Sequence, residues 1–117
     1  MPRDVIPQTI SPVVEHLEQA RARVAEAWIQ RHAIRRRADG RFAYCMMGSL
    51  YEHQAVDKTV CEQAALVLNE AAGLLTRSNT STINFNDHWN HTKSDVLQAF
   101  DVAIELQLRK EHKEFVE

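Results

Sequence analysis

Three sets of apolar residues recur at three- and four-residue spacings, and this helical period constrains the fold more than any other feature of the sequence. Each set forms one face of an amphipathic helix. The sets are Val13, Leu17, Ala20, Val24 and Trp28; then Val60, Ala64, Val67, Leu68, Ala71, Leu74 and Leu75; then Val96, Leu97, Phe100, Ala103 and Ile104. We therefore expect three long helices, near residues 12–31, 57–76 and 92–110, to pack around one core.

Residues typical of helix starts precede each of these stretches. Ser11 and Asp57 are good N-cap residues, and Pro12 is suited to the first helical position after Ser11. Thr92 is followed three residues later by Asp95, which imitates a capping box. We therefore expect the three long helices to begin at or directly after Ser11, Asp57 and Thr92.

The segments between the long helices predict smaller elements. Asp39-Gly40 indicates a β-hairpin with a type I′ turn near residues 34–44. Residues 45–54 predict a short helix, in which Gly48 would allow close approach of another element. Residues 83–91 alternate apolar and polar side chains and are expected to form a loop. The predicted fold is mainly α, with three long helices, one short helix and a short hairpin.

The 117-residue length fits one domain, since two halves would each be too small for a core. We expect that domain at residues 11–108, after a flexible arm at 1–10 and before a charged tail at 109–117. The chain has 14 Lys and Arg against 16 Asp and Glu, so a strongly basic nucleic-acid binder is not expected. No apolar run reaches the ~20 residues of a membrane span. The first ten residues lack the apolar core of a secretory signal, so a cytoplasmic location is expected.

Cys45 is the candidate nucleophile, because a thiol at a helix N-terminus has a lowered pKa. His53, His88 or His91 would act as the base and Asn86 or Asp87 as the orienting group, in a cysteine-dependent hydrolase or transferase. The alternative is that Cys45 packs as a small apolar residue. We favour packing, because no local signature of a thiol hydrolase surrounds Cys45, and predict no catalytic residue.

Asp87, His88 and His91 could hold a divalent metal ion with one more ligand. With this spacing, the rings of His88 and His91 would point to the same side only if the segment were helical. Because a loop is expected here, the two rings are not expected to converge on one metal ion. We therefore predict no metal and no cofactor. Asp87 is instead expected to accept hydrogen bonds within its own loop or from the neighbouring hairpin.

The segment from Arg31 to Arg41 is the candidate binding surface, with Arg35, Arg36 and Arg37 at its centre. Arginine suits phosphates and carboxylates. An exposed Trp89 is the second partner-binding candidate. A protein partner of unknown identity is favoured, a homodimer would also suit so small a domain, and nucleic acid is the weaker alternative.

Several separated motifs follow one another in a fixed order. They are Trp28-x-Gln30, Asp39-Gly40-Arg41, Cys45-x-x-Gly48-x-Leu50, Asn86-Asp87, Thr92-x-x-Asp95-Val96 and Phe100-Asp101-x-Ala103-Ile104. Together, over residues 13–107, they resemble an uncharacterised family of small proteins from bacteria and their phages, defined only as a domain of unknown function. Phe85 stands where that family has tryptophan, and Asp95 where it has glutamate.

The resemblance implies no activity, but it does suggest a cytoplasmic accessory protein, encoded by a bacterium or by one of its phages. It marks structural positions at Trp28, Gly48, Asn86, Asp87, Thr92 and Phe100. The function that we favour from the sequence is a small protein-interaction or accessory module without chemistry of its own. The hydrolase or transferase at Cys45 is the first alternative, and nucleic-acid contact through Arg31–Arg41 is the second.

Overall fold

Five helices and a two-stranded antiparallel hairpin make up the described part of the chain. The computed structural model describes residues 11–32, 34–51, 57–77, 80–88 and 90–116, without the side chains of 113–116. The elements are α1 (Pro12–Glu26), β1 (Ile34–Arg36), β2 (Phe42–Tyr44), α2 (Met46–Tyr51), α3 (Lys58–Thr76), α4 (Thr82–Asp87) and α5 (Lys93–Val116). The expectations for the arm at 1–10, for His53 and for Trp89 lie outside the described residues.

The long helices α1, α3 and α5 pack against one another, which confirms the mainly α fold. The positions predicted to be buried are all fully buried: Leu17, Val24, Leu68, Ala71, Val96 and Phe100. Met46 and Leu50 of α2 complete the same core. Leu74 does not belong to it, because its side chain is 57% exposed near the end of α3. None of the helices in the described ranges has both the length and the apolar character needed to cross a membrane.

The predicted helix starts are confirmed by their hydrogen bonds. The Ser11 hydroxyl accepts from the backbone N–H of Val14, and the Asp57 carboxylate accepts from that of Thr59. Thr92 and Asp95 form the reciprocal bonds of a capping box. The Thr92 N–H donates to Asp95 Oδ2 at 2.7 Å, and the Asp95 N–H donates to Thr92 Oγ1 at 3.3 Å.

Helix α1 ends at Glu26, five residues before the predicted end at Arg31. Ala27 is extended, with φ −157° and ψ 103°. The chain then runs beside β2: the Tyr44 N–H donates to the Ala27 carbonyl at 2.8 Å, and the Ile29 N–H donates to the Tyr44 carbonyl at 3.1 Å. Pairing with β2 thus replaces the last helical turn, although Trp28 continues the apolar period of α1.

The hairpin is present, but its turn differs from the predicted type I′. Only Gly40 has a positive φ, +88°, within the turn, whereas type I′ requires two such residues. The Gly40 N–H donates to the Arg37 carbonyl, and the Arg37 N–H donates to the Arg41 carbonyl. The loop is therefore three residues long, a turn closed by a left-handed glycine. Asp39 supports it by accepting from the Arg41 N–H at 3.0 Å.

Residues Thr82–Asp87 form a short helix, so the expectation of a loop over 83–91 is wrong for its first part. Ser81 caps this helix by accepting from the Asn84 N–H. Phe85 and Asn86 are buried, while Ile83 and Asn84 are exposed. Asn86, one of the polar residues that suggested a loop, is therefore buried inside the protein.

Candidate functional site

The side chain of Asn86 uses its full hydrogen-bonding capacity in the interior. Its oxygen accepts from the indole nitrogen of Trp28 at 2.8 Å and from the backbone N–H of Met46 at 3.0 Å. Its amide donates to the Ile29 carbonyl at 3.1 Å and to Asp87 Oδ1 at 2.9 Å. Asn86 is only 1% exposed. It therefore ties α4 to the segment after α1 and to the start of α2.

The segment after α1 makes two further contacts with the end of α4. The side-chain amide of Gln30 donates to the carbonyl oxygens of Asn86 and His88, at 2.9 and 3.0 Å. Asp87 Oδ1 accepts from the backbone N–H of Arg31 at 2.7 Å. Arg31 has a left-handed backbone, with φ 70°. Asp87 thus holds Arg31 in this conformation. The bond from the Asn86 amide is the one predicted within Asp87's own segment, whereas the bond from Arg31 comes from outside both that segment and the hairpin.

Cys45 caps helix α2 rather than acting as an activated thiol. Its sulfur accepts from the backbone N–H of Gly48 at 3.2 Å, and its carbonyl accepts from the Ser49 N–H. Burial raises the pKa of the thiol, and the negative charge of Asp87 raises it further, outweighing the hydrogen bond from Gly48. Burial, which is the largest of these effects, opposes formation of a thiolate, the species that a cysteine nucleophile requires.

Within the described part of the chain, Asp87 and His91 do not form a relay with Cys45. The ring of His91 donates from Nδ1 to the carbonyl of Phe85 at 2.7 Å and contacts the rings of Phe85 and His88 in a tilted arrangement. Among the described residues, no hydrogen bond joins Cys45 to Asp87 or to His91. Within the same ranges, no three side chains of the His, Cys, Asp or Glu types gather where they could hold a metal ion.

A small cleft lies between α2, α4 and the segment that follows α1. We call it the Cys45 cleft; its lining comprises Arg31, His32, Cys45, Met47, Ile83, Asn86 and Asp87. Its volume is about 160 Å³, well below the ~300–1,000 Å³ of a pocket for a drug-sized ligand. The structure thus brings Cys45 and Asp87 together in one cleft, whereas His91 is not part of its lining.

The hairpin of residues 34–44, which we call the basic hairpin, carries four arginines and one aspartate. The Arg37 guanidinium lies 3.5 Å from the Asp39 carboxylate, and the Arg41 guanidinium lies 3.7 Å from the carboxylate of Glu26 at the end of α1. Arg35 and Arg36 are exposed, and no carboxylate of the described residues lies within ion-pair distance of either.

Apolar side chains accompany Arg36 on one face of the basic hairpin, whereas Arg35 belongs to the opposite face. Phe42 is the direct cross-strand neighbour of Arg36 and is 49% exposed. Ile34, two residues before Arg36 on the same face of β1, is 40% exposed. The surface therefore combines unpaired positive charge with accessible apolar area, a composition that occurs at binding surfaces.

Sequence reasoning missed three residues of these surfaces: Met47, Ile83 and Phe42. Met47 and Ile83 matched no helical stripe, and only the packing of α2 beside α4 brings them together at the Cys45 cleft. Phe42 is the first residue of β2. Because side chains alternate between the two faces of a strand, the sequence could have indicated that Phe42 points towards solvent.

The remaining motif residues have structural roles. Thr92 begins α5, Phe100 is at the centre of the core, and Gly48 is buried in α2. A family model described as a family of unknown function, DUF6197, matches residues 8–106. No curated protein and no solved structure matches the chain.

Proposed function

The chain belongs to the DUF6197 family of unknown function, and from this starting point we propose that it is a protein-interaction module whose basic hairpin binds an acidic surface of a partner protein. The proposal depends on the exposure of Arg35 and Arg36 and on their distance from the described carboxylates. Both are exposed and lie beyond ion-pair distance of any described carboxylate, while Arg37 and Arg41 each have one nearby. A partner's carboxylates could pair with Arg35 and Arg36 without first breaking an internal ion pair.

Charge supports a protein partner over nucleic acid. The whole chain has a formal charge of −2, although the basic hairpin by itself has an excess of three positive charges. The remainder of the molecule is therefore acidic and would repel a phosphate backbone. Typical duplex binders make about 6–10 phosphate contacts, and the hairpin offers only four arginines, two of them already beside carboxylates.

The environment of Cys45 supports a function without chemistry. A thiol whose pKa is raised by burial and by a neighbouring carboxylate is a poor nucleophile near neutral pH. We further propose that this accessory module acts in the cytoplasm, where its two buried cysteines, Cys45 and Cys61, would remain as free thiols. Origin from a phage and a homodimeric state remain predictions.

Quantitative affinity capture from the native host tests the proposal. The bait is the full chain, compared with Arg36→Glu and with the matched control Arg109→Glu, an exposed arginine of α5. We expect one or more protein partners to be lost with Arg36→Glu, retained with Arg109→Glu, and unaffected by nuclease. Equal capture by all three baits, or capture that disappears with nuclease, would refute an acidic protein partner at the hairpin.

A further inference from the structure

We propose that the Cys45 cleft receives one aliphatic side chain of the same acidic partner segment, so that cleft and basic hairpin form one peptide-binding surface. This inference rests on the proposed function and adds to it the kind of sequence that the partner presents: an acidic segment with one aliphatic anchor. The surface runs from Arg36 on the hairpin to Ile83 on α4.

Residues of the chain itself connect the two surfaces. Arg31 and His32 are exposed, line the cleft, and lie within three residues of the hairpin's first residue, Ile34. The hydrogen bond from the Arg31 N–H to Asp87 holds this connection against α4. A carboxylate next to the anchoring side chain would therefore lie close to Arg31.

The lining of the cleft suits an apolar group. Ile83 is 53% exposed, although it belongs to a helix whose neighbouring residues Thr82 and Phe85 are buried. Met47 is partly buried and adapts its shape easily, and Cys45 in its neutral form behaves as a small apolar residue. Covering Ile83 and Met47 would remove apolar area from water, which favours binding.

The side chains of Asn86 and Asp87, two polar residues of the cleft, are already engaged in hydrogen bonds. All four hydrogen-bonding positions of the Asn86 side chain are occupied, and Asp87 Oδ1 accepts two hydrogen bonds. A polar ligand would have to compete with these bonds, whereas an aliphatic side chain would not. A volume of about 160 Å³ also suits one side chain better than a cofactor or a drug-sized metabolite.

Selection from a random peptide library displayed on phage, with the full chain as the immobilised target, tests the inference. We expect the enriched peptides to contain several Asp or Glu residues and one Leu, Ile, Val or Met. Affinity for a synthetic enriched peptide should fall about tenfold with Ile83→Ala. It should remain unchanged with Leu74→Ala, a matched control on an exposed leucine of α3. Replacing the peptide's aliphatic residue with Ala should add little to the loss already caused by Ile83→Ala.

Different outcomes separate this inference from the proposed function. Acidic peptides that bind with sensitivity to Arg36→Glu but not to Ile83→Ala would refute the anchor and leave the proposed function standing. Enriched peptides without acidic residues, or no enrichment, would count against both. A dimer in sedimentation that Ile83→Asp dissociates would assign the cleft to a second copy of the chain and overturn the peptide anchor.

Discussion

The indole nitrogen of Trp28 donates a 2.8 Å hydrogen bond to the side-chain oxygen of Asn86, across 58 positions of sequence. The same oxygen also accepts from the buried backbone N–H of Met46. The Asn86 side chain thus links helix α4 to the residues that follow α1 and to the start of α2. The two candidate surfaces flank this point, because the segment after Trp28 leads to the basic hairpin and Asn86 lines the Cys45 cleft.

We expect Asn86→Ala to lower the free energy of unfolding by about 3 kcal/mol, because the partly buried indole N–H of Trp28 and the buried backbone N–H of Met46 lose their acceptor. Urea denaturation followed by circular dichroism measures the change. The matched control is Asn84→Ala on the same short helix, where the side chain is exposed and the change should stay within about 0.5 kcal/mol.

A double-mutant cycle tests the bond between the two residues directly. Trp28→Phe removes the donor, so its cost should be smaller in the Asn86→Ala background than in the native chain. Strictly additive losses would show that the indole and the amide do not stabilise each other.

Asp87→Ala should cost about 1–3 kcal/mol, because the Arg31 N–H and the Asn86 amide lose their shared acceptor. Asp87→Asn should retain most of the stability, since an amide oxygen can still accept both bonds. Thermal unfolding of the two variants beside the native chain distinguishes them. If Asp87→Asn lowered stability as much as Asp87→Ala does, the stabilisation would come from the charge of Asp87 and not from its role as hydrogen-bond acceptor.

The long helices could be predicted from the sequence because their signals are local. Leu17 and Val24 lie on one stripe, and Ser11 and Thr92 cap helices through bonds to residues only three positions away. The sequence could not show that α1 ends at Glu26, since the competing partner of Ala27 is Tyr44, seventeen residues later.

The candidate site was less predictable because its hydrogen bonds join residues that are far apart in the sequence. Asn86 resembled a loop residue, because asparagine commonly bonds to the nearby backbone. Three of its side-chain bonds go instead to residues at least 40 positions away, namely Trp28, Ile29 and Met46. The basic character of the hairpin, in contrast, could be read directly from composition, although the pairing of Arg37 and Arg41 could not.

Phe100→Ala should lower stability by about 3–5 kcal/mol, through lost burial and the cavity left at the meeting point of the long helices. Chemical denaturation gives the value. Leu108→Ala on the same helix is the control, because Leu108 is half exposed and its removal leaves no internal cavity. A loss below about 1 kcal/mol for Phe100→Ala would contradict the docking of α5 on α1 and α3.

Cys45 should make the stability of the protein depend on pH in the alkaline range. Burial raises the pKa of its thiol above the ordinary value of 9.0, so the folded state holds the proton more tightly than the unfolded state. The resulting stabilisation is fully present below the ordinary pKa and is lost as the pH rises through the raised, folded-state pKa. The free energy of unfolding should therefore fall above about pH 9 in the native chain.

The variant Cys45→Ser isolates this contribution and also tests the structural reading of Cys45. At neutral pH it should fold with a modest loss of stability, because the thiol packs and caps α2 instead of reacting. Across the alkaline range its stability should fall less steeply than that of the native chain, since the serine hydroxyl does not ionise there. Some slope should remain from Cys61, whose pKa is also raised by burial. Parallel curves for the two proteins, or rapid alkylation of Cys45 near neutral pH, would show that this thiol is not held in its protonated form.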